Sequence, residues 1–235
     1  GMVYGAQGRY AEALAQFQQA LVIQRAVGNR HLEAVNLNNI GEVYDVQGRY
    51  TEALAQLQQA LMIAREVDDR AGEGAILNNI GSVYHAQGRY AEALEMYEQA
   101  LAILREVGDR AGEGNTLNNI GSVYDAQGRY AEALGMYQQA LAIHQEVGNQ
   151  AGEGVTLSNI GLVYLNQGGY AKALESFQQA LAIQQEIGDR VGEGIAFNNI
   201  GFVYQAQGRY AEASAAYQQA MDTFEAIRVV AGSEQ

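Results

Sequence analysis

The chain repeats itself every 40 residues without a slip, and that constrains its fold more than anything else in the sequence. The stretch "LNNIGSVYDAQGRYAEAL" at 117–134 is almost letter for letter "LNNIGSVYHAQGRYAEAL" at 77–94, and relatives begin at 37, 157 and 197. Gly1, Gly41, Gly81, Gly121, Gly161 and Gly201 fall in register, as do Tyr4, Tyr44, Tyr84, Tyr124, Tyr164 and Tyr204. A fixed period in this range is the signature of a solenoid, in which each unit touches only its neighbours. The 235 residues are then expected to form one elongated domain.

Each period divides into two helical halves. In the first, Leu117, Ile120 and Tyr124 recur at steps of three and four, which is one face of a helix. Asp109, with Asp69, Asp189, Asn29 and Asn149 in the other units, is a good N-cap ahead of it. That helix is expected over about 110–127, closed by a left-handed Gly128. In the second half Tyr130, Ala133, Leu134, Tyr137, Ala140 and Leu141 again follow helical spacing, to about 147. Arg129 is a poor cap, so the start of this helix is weakly signalled. Gly121 stands inside a helix, where glycine costs roughly 1 kcal/mol against alanine. Its recurrence predicts a close approach with Tyr124 and Tyr137 packed beside it.

Small-Gly-x-x-Tyr, then Gly-x-Tyr, then Ala-x-x-x-aromatic-x-x-Ala is the pattern of the tetratricopeptide repeat, which this chain resembles through Gly121, Tyr124, Gly128, Tyr130, Ala133, Tyr137 and Ala140. The 40-residue unit, with "GDRAGEG" between helices, looks like the subclass in Pins-type spindle-orientation adaptors. "LNNIG" also resembles kinesin light chain. The resemblance covers almost the whole chain and is specific for fold rather than function. It implies an all-α architecture: an α-solenoid of antiparallel helix pairs wound as a right-handed superhelix. One departure is the absence of proline, so the second helix runs longer and ends near Gly108, Gly148 or Gly188. The expected divisions are a partial first repeat over 1–33, full repeats over 34–73, 74–113, 114–153, 154–193 and 194–228, and a frayed tail over 229–235. Ser214 and Asp222 replace the usual leucine and alanine, which predicts a solvated last helix. The chain begins inside a unit, so an open apolar face carrying Leu14 and Phe17 is expected on the helix over 10–27.

The resemblance also implies a concave face lined by the first helix of each pair. The residue two places before the inner glycine points into it, and an Asn there holds the backbone of an extended peptide. The matching positions are Asn39, Asn79, Asn119, Asn159 and Asn199. An amide offers two donors and an acceptor, so it pairs with a peptide group whatever the side chain. The competing reading is that these Asn residues bond the neighbouring repeat's backbone and only fix stacking. Specificity is expected from positions that vary between near-identical units. One turn on these are Glu42, Ser82, Ser122, Leu162 and Phe202, and a further turn on Asp45, His85, Asp125, Leu165 and Gln205. This face grades from acidic to apolar, which fits a partner with basic and apolar segments, and Leu162, Leu165 and Phe202 form its apolar end.

Composition excludes several other roles. The formal charge is −13, from 27 acidic and 14 basic residues, whereas nucleic-acid binding relies on Lys and Arg. Nucleic acid and anionic membrane surfaces are therefore not expected partners. No run of about 18 apolar residues occurs, and no amino-terminal segment reads as a signal peptide. The chain has no cysteine, which fits a reducing compartment, and a cytoplasmic location is expected. His31, His85 and His144 stand at different places in the repeat and are expected at the surface without a catalytic or ligand role. Glu73, Glu113, Glu153 and Glu193 lie early in a helix, where a carboxylate complements the dipole. "GEG" at 112–114 lacks the Lys-Ser/Thr and the strand of a phosphate loop, and close helix packing explains it better. The expectation is a non-enzymatic interaction scaffold without cofactor or metal, binding a protein or peptide. The alternative is a module that stacks end to end through its open first pair.

Overall fold

A computed structural model describes the backbone of residues 10–233 and the side chains of residues 10–228. Among the described residues there are eleven helices and no strand. They are α1 (Tyr10–Ala26), α2 (Arg30–Val46), α3 (Tyr50–Glu66), α4 (Arg70–Ala86), α5 (Tyr90–Glu106), α6 (Arg110–Ala126), α7 (Tyr130–Glu146), α8 (Gln150–Asn166), α9 (Tyr170–Glu186), α10 (Arg190–Ala206) and α11 (Tyr210–Ser233). The chain forms two compact units, residues 1–119 and residues 120–235, with the division inside α6. Within them α2 packs on α3, α4 on α5, α8 on α9 and α10 on α11. Successive pairs pack through α3 on α4 and α9 on α10. The expected partial helix before residue 9 lies outside the described residues.

Both helix ends follow from local chemistry. Gly128 takes φ 71°, so its N–H reaches Asp125 O at 2.8 Å while Arg129 N–H reaches Tyr124 O at 2.8 Å. These bonds satisfy carbonyls that the last turn of α6 would leave orphaned. The Asp109 side chain accepts from Gly112 N at 2.9 Å and starts the helix. Asp69 and Asp189 do the same. Arg89 and Arg129 make no side-chain cap, as their chemistry dictates. Three-residue connections of this kind leave each helix no option but to turn back on the one before it.

The inner glycine is a steric necessity. A Cβ on Gly81 would lie 2.6 Å from the Tyr97 ring, one on Gly121 2.7 Å from Tyr137, and one on Gly161 2.6 Å from Phe177. Tyr97, Tyr137 and Phe177 are buried to 1% exposure or less. Alanine on the second helix completes the approach, with Ala93, Ala100, Ala133 and Ala140 fully buried.

Two terminal expectations change. Phe17 is buried and Leu14 packs against the same core, because α2 covers them. The exposed apolar residues are instead Val22 and Ile23 of α1 and Val27 just past its end. At the other end α11 runs 24 residues where the other helices run 17, so the tail from 229 is helical through Ser233. Arg228 stands where Gly108 breaks the earlier helix, and Val229 where Asp109 caps the next, so nothing stops it. Residues 234–235 lie outside the described residues. Ser214 and Asp222 are exposed, as expected.

Candidate functional site

The first helices of the pairs are α2, α4, α6, α8 and α10, and each carries the Asn column on the turn before its inner glycine. In the unit over 1–119 the Asn pair forms a ladder between repeats. Asn79 Nδ2 donates to Asn38 Oδ1 at 2.9 Å and to Glu42 Oε1 at 2.7 Å. Asn38 Nδ2 donates to the same Glu42 oxygen at 2.8 Å. One repeat on, Asn119 Nδ2 donates to Asn78 Oδ1 at 3.0 Å and Thr116 Oγ1 donates to it at 3.2 Å. Asn79 and Asn119, each the second Asn of its pair, are thus tied to the first Asn of the preceding repeat. The tie is side chain to side chain, not to backbone. Asn79 Oδ1 accepts no hydrogen bond among the described residues. Asn39 is half-buried on α2.

Beyond the ladder stands Asp45. Its Oδ1 is buried and accepts no hydrogen bond among the described residues. Burial pushes this carboxyl above its usual range, and the neighbouring Glu42 pushes it the same way. His85 occupies the same column on α4, half-buried, its ring 5.8 Å from that of Tyr90. Burial lowers its pKa. Ser82 meets the Tyr97 hydroxyl at 3.1 Å. Burial lifts that phenol to about 12 against the opposing effect of the Ser82 bond.

The unit over 120–235 carries a different face. Asp125 also has a buried Oδ1 without a partner among the described residues, and burial raises its pKa despite a hydrogen bond with Asn166. Leu162 and Leu165 pack against the core formed by Phe177, Ile200 and Val203. Phe202 is 49% exposed and meets Tyr217 edge-on at 5.8 Å. Asn159 is half-buried, whereas Asn199 is buried at 9% exposure.

The structure corrects two sequence readings. His144 is not at the surface: it is 1% exposed, with Nδ1 3.2 Å from Asn149 Nδ2. It fills the column that Ala64 and Leu104 occupy elsewhere, so its position is a core position. The early glutamates do more than complement a dipole. Glu73 is buried, accepts from Arg65 Nε at 2.7 Å and pairs with Arg70. Glu113 is held likewise by Arg105 at 2.8 Å and by Arg110, and Glu33 by Arg25 at 2.8 Å and Arg30 at 2.6 Å. Burial pushes Glu33 up, and the two arginines more than offset it, so its carboxyl sits below the usual range. An Arg eight and another three residues before each Glu was the sequence signal for this clamp. His31 is exposed beside Asp69 at 2.9 Å, as expected. The Arg129–Glu132 row is exposed too, with Arg129 stacked 4.2 Å over Tyr124. Among the described residues no three His, Cys, Asp or Glu side chains gather to hold a metal, and no helix is long and apolar enough to cross a membrane.

The tetratricopeptide repeat family model matches residues 1–66, 72–146 and 153–226. The chain belongs to the tetratricopeptide repeat family. Solved structures agree with this chain in fold. BtubC (BKLC) from P. vanneervenii superposes with a TM-score of 0.78 at 22% identity, covering 93% of this tetratricopeptide chain and 92% of BtubC. A Rap protein complexed with competence and sporulation factor gives 0.77 at 17% identity, over 97% of this chain and 73% of that one. NprR in complex with its cognate peptide NprX gives 0.68 at 20% identity, over 93% and 66%. No curated protein matches the chain.

Proposed function

We propose that this tetratricopeptide chain is a protein-interaction scaffold whose first-helix faces hold extended partner segments. The observation that carries the reading is the Asn79 amide. Its nitrogen is committed to Asn38 and Glu42, which orients the group and leaves its oxygen to accept a peptide N–H. The two Asn readings therefore combine, since fixing the stack also pre-orients the hook. Pre-orientation lowers the entropy cost of binding.

Each unit would read its own segment. In the unit over 1–119, Glu42 and the unpartnered Asp45 oxygen favour a Lys or Arg side chain. In the unit over 120–235, exposed Phe202 on Tyr217, with Leu162 and Leu165 nearby in sequence, favours an apolar residue. The charge of −13 favours basic partners over nucleic acid. Rap, solved with competence and sporulation factor, and NprR, solved with its cognate peptide, are consistent with this use of the fold.

The test is a random-peptide display selection on the full chain beside an Asn79→Ala variant and an Asp45→Asn variant, with helicity and melting recorded. Enriched peptides rich in Lys or Arg, lost by both variants while melting is retained, are the expected result. Peptides that bind all three proteins equally, or no enrichment at all, would reject the reading.

A further inference from the structure

Every internal joint shows what the outer face of a second helix does when another helix covers it. Leu104 on α5 lies between Gly74 of its own pair, where a Cβ would meet it at 3.0 Å, and Gly112 of the next, where a Cβ would meet it at 2.9 Å. It is 2% exposed. Phe224 on α11 fills the same column and keeps the first contact, with a Cβ on Gly194 meeting its ring at 2.7 Å. The second contact has no counterpart, because the residue aligned with Gly112 is Gly232, inside the continuing α11. Phe224 is accordingly 41% exposed, and Met221, aligned with Leu101, is 56% exposed. Gln218, Met221, Asp222, Phe224, Glu225 and Arg228 line an open groove there.

The charges on this groove identify what fits it. At the internal joints of the first unit the column holds Arg65 or Arg105, and each clamps a glutamate on the incoming helix, Glu73 or Glu113. At α11 the column holds Glu225, and Asp222 stands where Ala102 does. All the first helices of this chain carry Glu at the clamped position: Glu33, Glu73, Glu113, Glu153 and Glu193. A helix of this chain stacked there would set like charges against each other. We infer that the outer face of α11 docks an amphipathic helix from a partner that bears Lys or Arg where the helices of this chain bear Glu. Arg228 lies 3.6 Å from Glu225, with both side chains strongly exposed, and so loose a pair yields readily to an incoming cation. The same substitution opposes the end-to-end stacking of copies. A like-charge contact of this kind selects one partner by repelling another.

The probes are two fluorescent, helix-stapled peptides. One has the sequence of residues 110–126, and the other is the same with Glu113→Lys. Anisotropy titration against the full chain is expected to favour the Lys peptide by roughly fivefold, the scale of one exposed ion pair against one like-charge contact. The variant Glu225→Arg is expected to reverse the preference, and Met221→Glu, at an exposed position outside the core, to abolish binding of both with helicity unchanged. Equal binding of the two peptides, no binding of either, or a preference that survives Glu225→Arg would overturn the inference. Light scattering of the unaltered chain is expected to give one mass at all concentrations. A mass that grows with concentration, and stops growing in Met221→Glu, would make a second copy the occupant and overturn it too.

Discussion

The two units use one helical frame and fix it differently. In the unit over 1–119, Glu33, Glu73 and Glu113 each hold two arginines and are 4%, 5% and 5% exposed. In the unit over 120–235, Glu193 has Arg190 and Gln185, the amide at 3.1 Å, and is 7% exposed. Glu153 accepts from Gln145 Nε2 at 2.9 Å, with Gln150 standing where the second arginine does elsewhere, and it is half-buried. Exposure of the carboxylate thus follows its cations, because a buried charge without a counterion must recover water. Apart from α11, the helices keep the same length and register in both units. The glycine–aromatic contact sets the frame, and the polar clamp only tunes how firmly a joint is held.

The largest test of that contrast removes the carboxylate from each joint. Glu73→Ala is expected to destabilise its unit by about 2 kcal/mol, less than for a fully buried pair because the arginines left behind are half exposed. Glu153→Ala is expected to lose under about 1 kcal/mol, as a half-exposed polar residue does. Hydrogen exchange of α4 and α8 amides reads the two losses separately. Equal losses would mean the arginines contribute nothing beyond the amides.

Acid separates the units next. His144 is buried neutral, and burial lowers its pKa, with Glu153 opposing. A histidine depressed in the folded state holds its stability above its unfolded pKa of about 6.5 and loses it as pH falls through that value. Glu33 is the opposite kind of group. Its depressed carboxyl holds stability above about pH 4.3 and loses it only below, toward the folded pKa. Protection of α8 is therefore expected to fall between about pH 7 and about pH 5 while α2 holds, and α2 to fail only below about pH 4. His144→Leu, the residue of the Leu104 column, is expected to flatten the α8 profile. An α8 profile unchanged by that substitution would assign the acid response elsewhere.

The third test rebuilds the missing clamp. Gln145→Arg with Gln150→Arg places both cations of the first unit around Glu153. The gain expected is about 0.5–1 kcal/mol, seen as slower exchange in α8. No gain would show that Glu153 stays in water even when its partners are supplied.

Much of the frame is legible in the sequence because it is written in columns. Asp109 and Gly128 foretell both ends of α6 to within a residue or so, since capping is local chemistry. Gly121 foretells its contact with Tyr137, since helix-interior glycine has few other uses. The extension of α11 was equally readable, as the absence of Gly and Asp at Arg228 and Val229. The burial of His144 was readable as well, since its column elsewhere is Ala64 and Leu104. The Asn ladder was not. Asn79 and Asn38 are 41 residues apart, and only the stagger between successive helix pairs decides that the second amide meets the first rather than a backbone group. The buried oxygens of Asp45 and Asp125 were also beyond reach, because what covers them is decided by the packing of separate helices and not by spacing along one.

The smallest test lies in the connections rather than the joints. Each turn from a second helix to the next first helix passes through a left-handed residue, and in both units this is glycine: Gly28, Gly108, Gly148 and Gly188, with φ between 67° and 74°. Asp68 alone holds the same place with a side chain, at φ 57°. A Cβ in this region costs roughly 1–2 kcal/mol, less for Asp than for bulkier residues. Glycine would remove that strain but gives back roughly 0.5–1 kcal/mol through the freer unfolded chain. The two nearly cancel, so Asp68→Gly is expected to gain about 0.5 kcal/mol and Gly108→Asp to lose about as much, both read from urea midpoints. Since α3 and α4 lie in the unit whose joints are doubly clamped, the strain at Asp68 is carried where the frame is best able to hold it. Should Asp68→Gly instead destabilise, the carboxylate itself would be holding the turn, and the connections as well as the clamps would differ between the two units.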